Sequence, residues 1–234
     1  MPDLSSWLPV LHTGRWFSQL PLALSDGLLA MATVRHLATG EALFLRGNPP
    51  CGLYALVKGS VRISGLGGRQ GEAREAVLTL LEPPNWFGEI SVFDGSPRTH
   101  DAHAAEPSTL LQLPQPSLTA WLAQHPEHWR ELGLLMSDKL RIAFVAMEEL
   151  ALLPAPQRLA RRLVKMAEGY GQWRESQQSR RVIDVSQEQL SMMLGISRQT
   201  TNQILKDLQE RQMLRVHRGE VEIVDLHALR TACQ

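Results

Sequence analysis

The chain has 234 residues, 44% apolar and 21% charged, which suits one large globular domain or two small ones and excludes a disordered or fibrous protein. Its 24 basic and 24 acidic residues cancel, so the overall charge points neither to nucleic acid nor to a membrane surface. Two cysteines, Cys51 and Cys233, are too few for a disulfide framework, an all-thiolate zinc site or a four-cysteine iron–sulfur cluster.

No run approaches the roughly 20 apolar residues of a membrane span. The start, with Pro2, Asp3 and Pro9, lacks a signal-peptide pattern. A reduced, cytoplasmic protein without a membrane partner is expected. The zero charge also conceals a division at Pro154. Residues 1–153 hold 11 basic and 15 acidic residues, net −4, whereas residues 154–234 hold 13 and 9, net +4.

In chain order, residues 11–31 read as one or two short helices. From Ala32 to Leu113, short apolar runs at 42–45, 52–57, 60–64, 76–81 and 108–113 alternate with glycine and proline, the spacing of a β-roll or barrel. The glycine-rich 65–68 stretch joins two strands rather than a strand to a helix, so it reads as a loop and not as a nucleotide fingerprint.

From Pro116 onward the period becomes helical, with Ser117 as the expected N-cap. Trp129, Gly133, Met136, Leu140, Ala143, Met147 and Leu150 follow alternating steps of 4 and 3, a heptad seam. Leu132, Leu135, Ile142, Val145 and Ala146 form a second apolar stripe, more than one neighbour can cover. Dimerisation through the seam is therefore expected over two-sided packing within one chain. His125 and His128 stand one turn apart with no third ligand nearby and read as solvated side chains rather than a metal clip. The Leu-Pro-Ala-Pro run at 153–156 ends the helix and marks a hinge.

The basic half carries the most specific pattern. Ser186 caps a helix with Leu190, Met193 and Leu194 on its apolar side, Gly195 supplies a tight turn, and Ser197 caps a second helix anchored by Ile204, Leu205 and Leu208. This is a helix-turn-helix. Arg198, Gln199, Thr200, Asn202, Gln203 and Lys206 lie off the apolar face, side chains of the kind that bond base edges and phosphates in a major groove. Residues 213–224 then alternate apolar and polar around a His-Arg-Gly turn, a β-hairpin wing that carries His217 and Arg218 at its tip.

A β-roll, a long helix and a winged helix-turn-helix in this order resemble the Crp/Fnr family of bacterial transcription regulators over nearly the whole chain. The resemblance rests on Gly40-Glu41, the run from Leu53 to Val61, Phe87-Gly88-Glu89-Ile90, Pro97-Arg98-Thr99, and Leu194-Gly195-Ile196-Ser197-Arg198. It implies an α+β chain in three parts: an effector-sensing roll with N-terminal helices (1–115), a dimerisation helix (116–153) and a winged helix-turn-helix (154–234). The implied dimer contacts are Trp129, Met136, Leu140, Ala143, Met147 and Leu150. The implied partners are a second copy of the chain, double-stranded DNA with a near-palindromic operator, and RNA polymerase.

In nucleotide-binding members of that family the roll holds a cyclic nucleotide, and here the effector is left open. Glu89 would accept a ribose hydroxyl, Arg98 would pair with the cyclic phosphate, Thr99 would add a hydroxyl, amides near Gly88 would help cradle the anion, and Lys139 would contribute from the long helix. The alternatives are another effector or a ligand-free roll kept as a scaffold, and the structural reading of Glu89 and Arg98 is a buried ion pair. The chain departs from the family pattern at His100, where alanine is common, and at Ala143 and Phe144, where the adenine-holding Thr-Ser pair stands and neither residue here offers a side-chain hydrogen bond.

The oxygen-sensing branch needs four cysteines and is excluded. His36, His100, His103, His125, His128 and Cys51 are available as haem ligands, but none sits in a diagnostic motif. In the reading helix, Arg198 matches the guanine-reading arginine, Gln199 replaces a glutamate and Gln203 replaces a second arginine, so the half-site should keep one G·C pair and otherwise differ. With Ser197 and Arg218, these residues form the expected DNA surface. The rival reading is a nucleotide-binding scaffold whose C-terminal domain contacts protein, separable by the salt dependence of DNA binding. No catalytic array stands out, so no enzyme is expected.

Overall fold

The computed structural model describes residues 4–67, 74–171, 173 and 179–233. They form two compact units, one comprising the chain up to Gly65 with Leu78–Arg141, the other Leu66–Val77 with Ile142 onward. No helix among the described residues is long and apolar enough to cross a membrane.

Three short helices, α1 (Leu8–Thr13), α2 (Arg15–Ser18) and α3 (Leu22–Met31), precede the roll. Its strands are β1 (Thr33–Leu37), β2 (Ala42–Phe44), β3 (Leu53–Lys58), β4 (Val61–Gly67), β5 (Arg74–Leu81) and β6 (Asn85–Phe87), then, after helix α4 (Glu89–Asp94), β7 (Asp101–Ala104) and β8 (Ser108–Leu113). They form two four-stranded sheets, ordered β1-β8-β3-β6 and β2-β7-β4-β5. β3 and β8 are central in the first sheet and buried almost throughout, so they read as continuous apolar runs.

The sequence reading found five of these strands and missed three. β1 is largely exposed, and β6 and β7 are three and four residues long. The expected glycine-rich loop is corrected as well. Gly65 to Gly67 belong to strand β4, and Gly68 lies outside the described residues.

The expected single helix from Pro116 is two. α5 (Gln115–Gln124) starts after Pro114, and Ser117 lies inside its first turn rather than at its cap. Pro126 then opens a 3-10 turn, Pro126–His128, before the 24-residue α6 (Trp129–Leu152). The first half of α6 is tied into its unit. Leu132 and Leu135 are buried in the roll's core, Trp16 Nε1 donates to the Glu131 carbonyl at 2.7 Å, and Arg15 Nη2 meets Asp138 at 2.6 Å. Trp129, expected at the head of the dimer seam, is instead half-buried on this core and packs against Phe93 at 5.1 Å.

In the second unit α7 (Ala155–Ala167) begins directly after Pro154. The hinge expected there is bridged: Glu149 near the end of α6 accepts from Lys165 Nζ at 2.8 Å and pairs with Arg161 Nη1 at 3.5 Å. Beyond lie β9 (Val182–Ile183), α8 (Gln187–Leu194), α9 (Arg198–Glu210), β10 (Leu214–Val216), β11 (Val221–Ile223) and α10 (Leu226–Thr231), the strands forming a sheet ordered β10-β11-β9. Leu159, Leu163, Leu190, Leu205, Leu214 and Leu229 meet in one core.

The start of α8 is fixed by a reciprocal cap. The Ser186 hydroxyl accepts from the Gln189 amide at 3.1 Å, and the Gln189 side chain accepts from the Ser186 amide at 2.8 Å. Replacing Ser186 with alanine should lower unfolding stability by about 1 kcal/mol, whereas aspartate, which can still accept, should largely preserve it. Equal urea midpoints for wild type and the alanine variant would show that the cap contributes nothing.

Candidate nucleic-acid interface and anion seat

The reading surface follows from the packing of α9. Thr201, Ile204, Leu205 and Leu208 are buried, so the helical period leaves Arg198, Gln199, Thr200, Asn202, Gln203 and Lys206 exposed on the other side. α8 ends at Gly195, whose left-handed backbone (φ 64°) makes the turn between the two helices. Ser197 is the N-cap, accepting from the Thr200 amide at 3.0 Å, and its Oγ lies 2.8 Å from Thr200 Oγ1. Ser197 and Thr200 are therefore engaged with the helix start. Lys206 stands 3.8 Å from Glu210.

Arg198, Gln199, Asn202 and Gln203 have no side-chain partner among the described residues. Their donors and acceptors face solvent, as a base-reading set requires. The wing joins this unit through β10 and β11, with His217 and Arg218 exposed in its turn. His217 Nε2 lies 3.7 Å from Glu222.

The second site lies in the roll, and Arg98 is its centre. The side chain is buried, with 4% of its surface exposed, and among the described residues it is held without a carboxylate. Nη1 donates to the Gly88 carbonyl at 2.9 Å and Nη2 to the Gly52 carbonyl at 2.5 Å. Nε and Nη2 also reach the sulfur of Cys51, at 3.3 and 3.1 Å. The guanidinium lies over the Phe44 ring at 4.4 Å and the Tyr54 ring at 5.7 Å. Two glycines bring the carbonyls in. Gly52 and Gly88 have φ of +116° and +96°, and a Cβ at Gly52 would lie 1.9 Å from the Leu113 carbonyl oxygen.

Glu89 is also buried, but its partner is Lys139, whose Nζ donates to Oε2 at 2.6 Å. The expected alternative of a Glu89–Arg98 ion pair is therefore overturned. Each charge is satisfied elsewhere, and Lys139 reaches the site by holding the glutamate. Thr99 is exposed, with its Oγ1 2.9 Å from His100 Nδ1. Burial, with the Arg46 charge nearby, holds the His100 imidazole below its usual pKa against the pull of Asp101, so the ring is neutral at neutral pH. Gly88 caps α4, a helix of only six residues.

Sequence reasoning missed Cys51, Tyr54 and Phe44 as neighbours of Arg98. The only local signal was a cysteine three residues before a tyrosine. His125 and His128 stack on Trp121, with ring centroids 4.4 and 5.2 Å away. The described residues hold no group of three or more His, Cys, Asp or Glu side chains arranged for a metal ion.

Comparison with known proteins joins the two sites. Residues 34–125 match the cyclic nucleotide-binding domain family, and residues 157–232 match the Crp-like helix-turn-helix domain. A CRP-like cAMP-activated global transcriptional regulator of Mycobacterium tuberculosis is 31% identical over 190 residues, spanning 81% of this chain and 83% of the relative. The cyclic AMP receptor protein of Thermus thermophilus is 29% identical over 187 residues, spanning 79% and 80%. Among solved structures, FixK2 of Bradyrhizobium japonicum shares the fold with a TM-score of 0.75 at 19% identity, over 87% of this chain and 98% of that one. With a roll, a long helix and an exposed reading helix in the order of these relatives, the chain belongs to the Crp/Fnr family of DNA-binding transcription regulators.

Proposed function

We propose that the chain works as a homodimer that reads a near-palindromic operator through two copies of α9, under the control of a small anionic effector held in the roll. Its working parts are the sensor at 1–115, the seam at 116–153 and the reader at 154–234. The observation that carries the dimer is the surface of α6. Leu140, Phe144, Met147 and Leu150 leave between 54% and 66% of their area in solvent, and Ala143 is exposed among them. A helix with four large apolar side chains bare along one side is incomplete alone, and a second copy covers them. Two reading helices about 34 Å apart then enter successive major grooves. Contact with RNA polymerase, in keeping with the family, completes the regulatory reading.

The charge balance of the seat calls for an anionic effector. A buried guanidinium with only neutral partners is an incompletely compensated cation, and an incoming anion supplies the missing charge. With Glu89 balanced by Lys139, the seat carries one net positive charge, matched to a monoanionic cyclic phosphodiester. Arg98 and Thr99 would hold the phosphate and Glu89 a ribose hydroxyl. Ala143 and Phe144 bring no side-chain hydrogen bond to a base. The relatives named as cAMP-activated and as a cyclic AMP receptor support a cyclic mononucleotide. The effector regulates by preferring the DNA-competent arrangement of the dimer.

Three outcomes are expected. Met147→Glu should convert the dimer to monomer in analytical ultracentrifugation and abolish operator binding, and a wild-type monomer at micromolar concentration would refute the seam. Cyclic AMP or cyclic GMP should raise the melting temperature of wild type, since a ligand that binds only the folded state stabilises it. That shift should vanish in Arg98→Lys, which keeps the charge but not the fork. Arg198→Ala should cost about 1–3 kcal/mol at one base pair of the half-site. Equal weakening on all sequences in a binding titration would assign Arg198 to phosphate positioning instead.

A further inference from the structure

We infer that Cys51 sets the affinity of the Arg98 seat for its anion, because its sulfur already occupies the donor fork that the anion needs. The inference rests on Arg98 being the anchor of an anionic effector. A guanidinium carries five N–H donors, and the Nε and adjacent Nη2 hydrogens point in parallel along one edge, the edge that carboxylates and phosphates grip in bidentate fashion. In this chain one atom bridges that edge. Cys51 Sγ lies 3.3 Å from Nε and 3.1 Å from Nη2.

Among the described residues, the other hydrogen bonds of Arg98 go to the backbone, Nη1 to Gly88 and Nη2 to Gly52. The edge held by Cys51 is thus the part of the side chain that no main-chain group claims. A third donor converges on the same sulfur: the Tyr54 hydroxyl at 3.1 Å. Burial and the Cys51 contact push that phenol well above its usual pKa, so it remains a donor.

Arg98 and Tyr54 are 4% and 2% exposed, whereas Cys51 is half-buried in the loop before β3. Fixed, buried donors therefore surround a more accessible acceptor. A thiol is a weak acceptor, and a phosphate oxygen is a strong, charged one. The anion wins the fork, but its binding is reduced by the contacts the sulfur gives up. Cys51 is thus a positioning residue, acting on the effector through Arg98.

The test is isothermal titration of the full-length dimer with cyclic AMP and cyclic GMP, comparing wild type, Cys51→Ala, Cys51→Asp and Arg98→Lys, each checked for folding by circular dichroism. Cys51→Ala frees the fork and should tighten binding by about tenfold, the weight of one neutral hydrogen bond. Cys51→Asp places a permanent carboxylate on the fork and should weaken binding by at least about a hundredfold, with an unchanged or higher melting temperature. A purely packing role for Cys51 would weaken both variants. Wild type and Cys51→Ala binding equally, with binding lost in Arg98→Lys, would overturn this inference and leave the effector reading intact. If no variant binds either nucleotide, both fall.

Discussion

A cation enclosed in a protein must be compensated, and around Arg98 the compensation comes from two carbonyls, a sulfur and two aromatic faces rather than a carboxylate. The arrangement constrains much of the roll. Its contacts join Arg98 to the Gly88 cap of α4 and to the loop that leads into β3, residues 10 and 46 positions away. It also dictates glycine at position 88, since a Cβ there would lie 2.8 Å from the Gly52 oxygen and 3.0 Å from Nη1. Phe44 and Tyr54 lie against the guanidinium and Phe87 stacks on Tyr54 behind them, so the core of this end of the roll is organised about a charge.

The long helix shows the same economy of surface. Leu132 and Leu135 enter the roll's core, Asp138 holds Arg15, and Lys139 neutralises Glu89, so the first half of α6 uses both apolar and polar side chains to dock within its own unit. From Leu140 onward most of the large apolar residues, Leu140, Phe144, Val145, Met147, Leu150 and Leu152, are exposed. One uninterrupted helix thus changes its task partway along, from internal packing to an open apolar surface, and the division between the two compact units falls at that change, between Arg141 and Ile142.

What was legible in the sequence is what local chemistry determines. Ser186, Gly195 and Ser197 announce the helix-turn-helix because caps and left-handed turns are satisfied by residues a few positions away. The alternating wing at 214–223 was readable for the same reason. β1 was missed because its pattern is mostly exposed, and the break before α6 because the helical period runs on either side of Pro126. The residues of the seat were candidates, but its contacts could not be read. Arg98 is satisfied by main-chain oxygens, which have no sequence signature, and by a cysteine 47 residues away. Glu89 and Lys139 were each legible as candidates, but the 2.6 Å contact that makes them partners belongs to tertiary packing across 50 positions.

The two cations that meet Glu149 bear on how a regulator of this build would transmit a signal. Prolines at 154 and 156 interrupt the backbone ladder, so by covalent chemistry alone this is where the chain should bend. Yet Glu149, its side chain only 11% exposed, is gripped from α7 by Lys165 and Arg161. The joint is splinted. In the proposed dimer, a twist applied to the latter half of α6 would reach α7 as torque on a stiff elbow instead of being absorbed at the prolines.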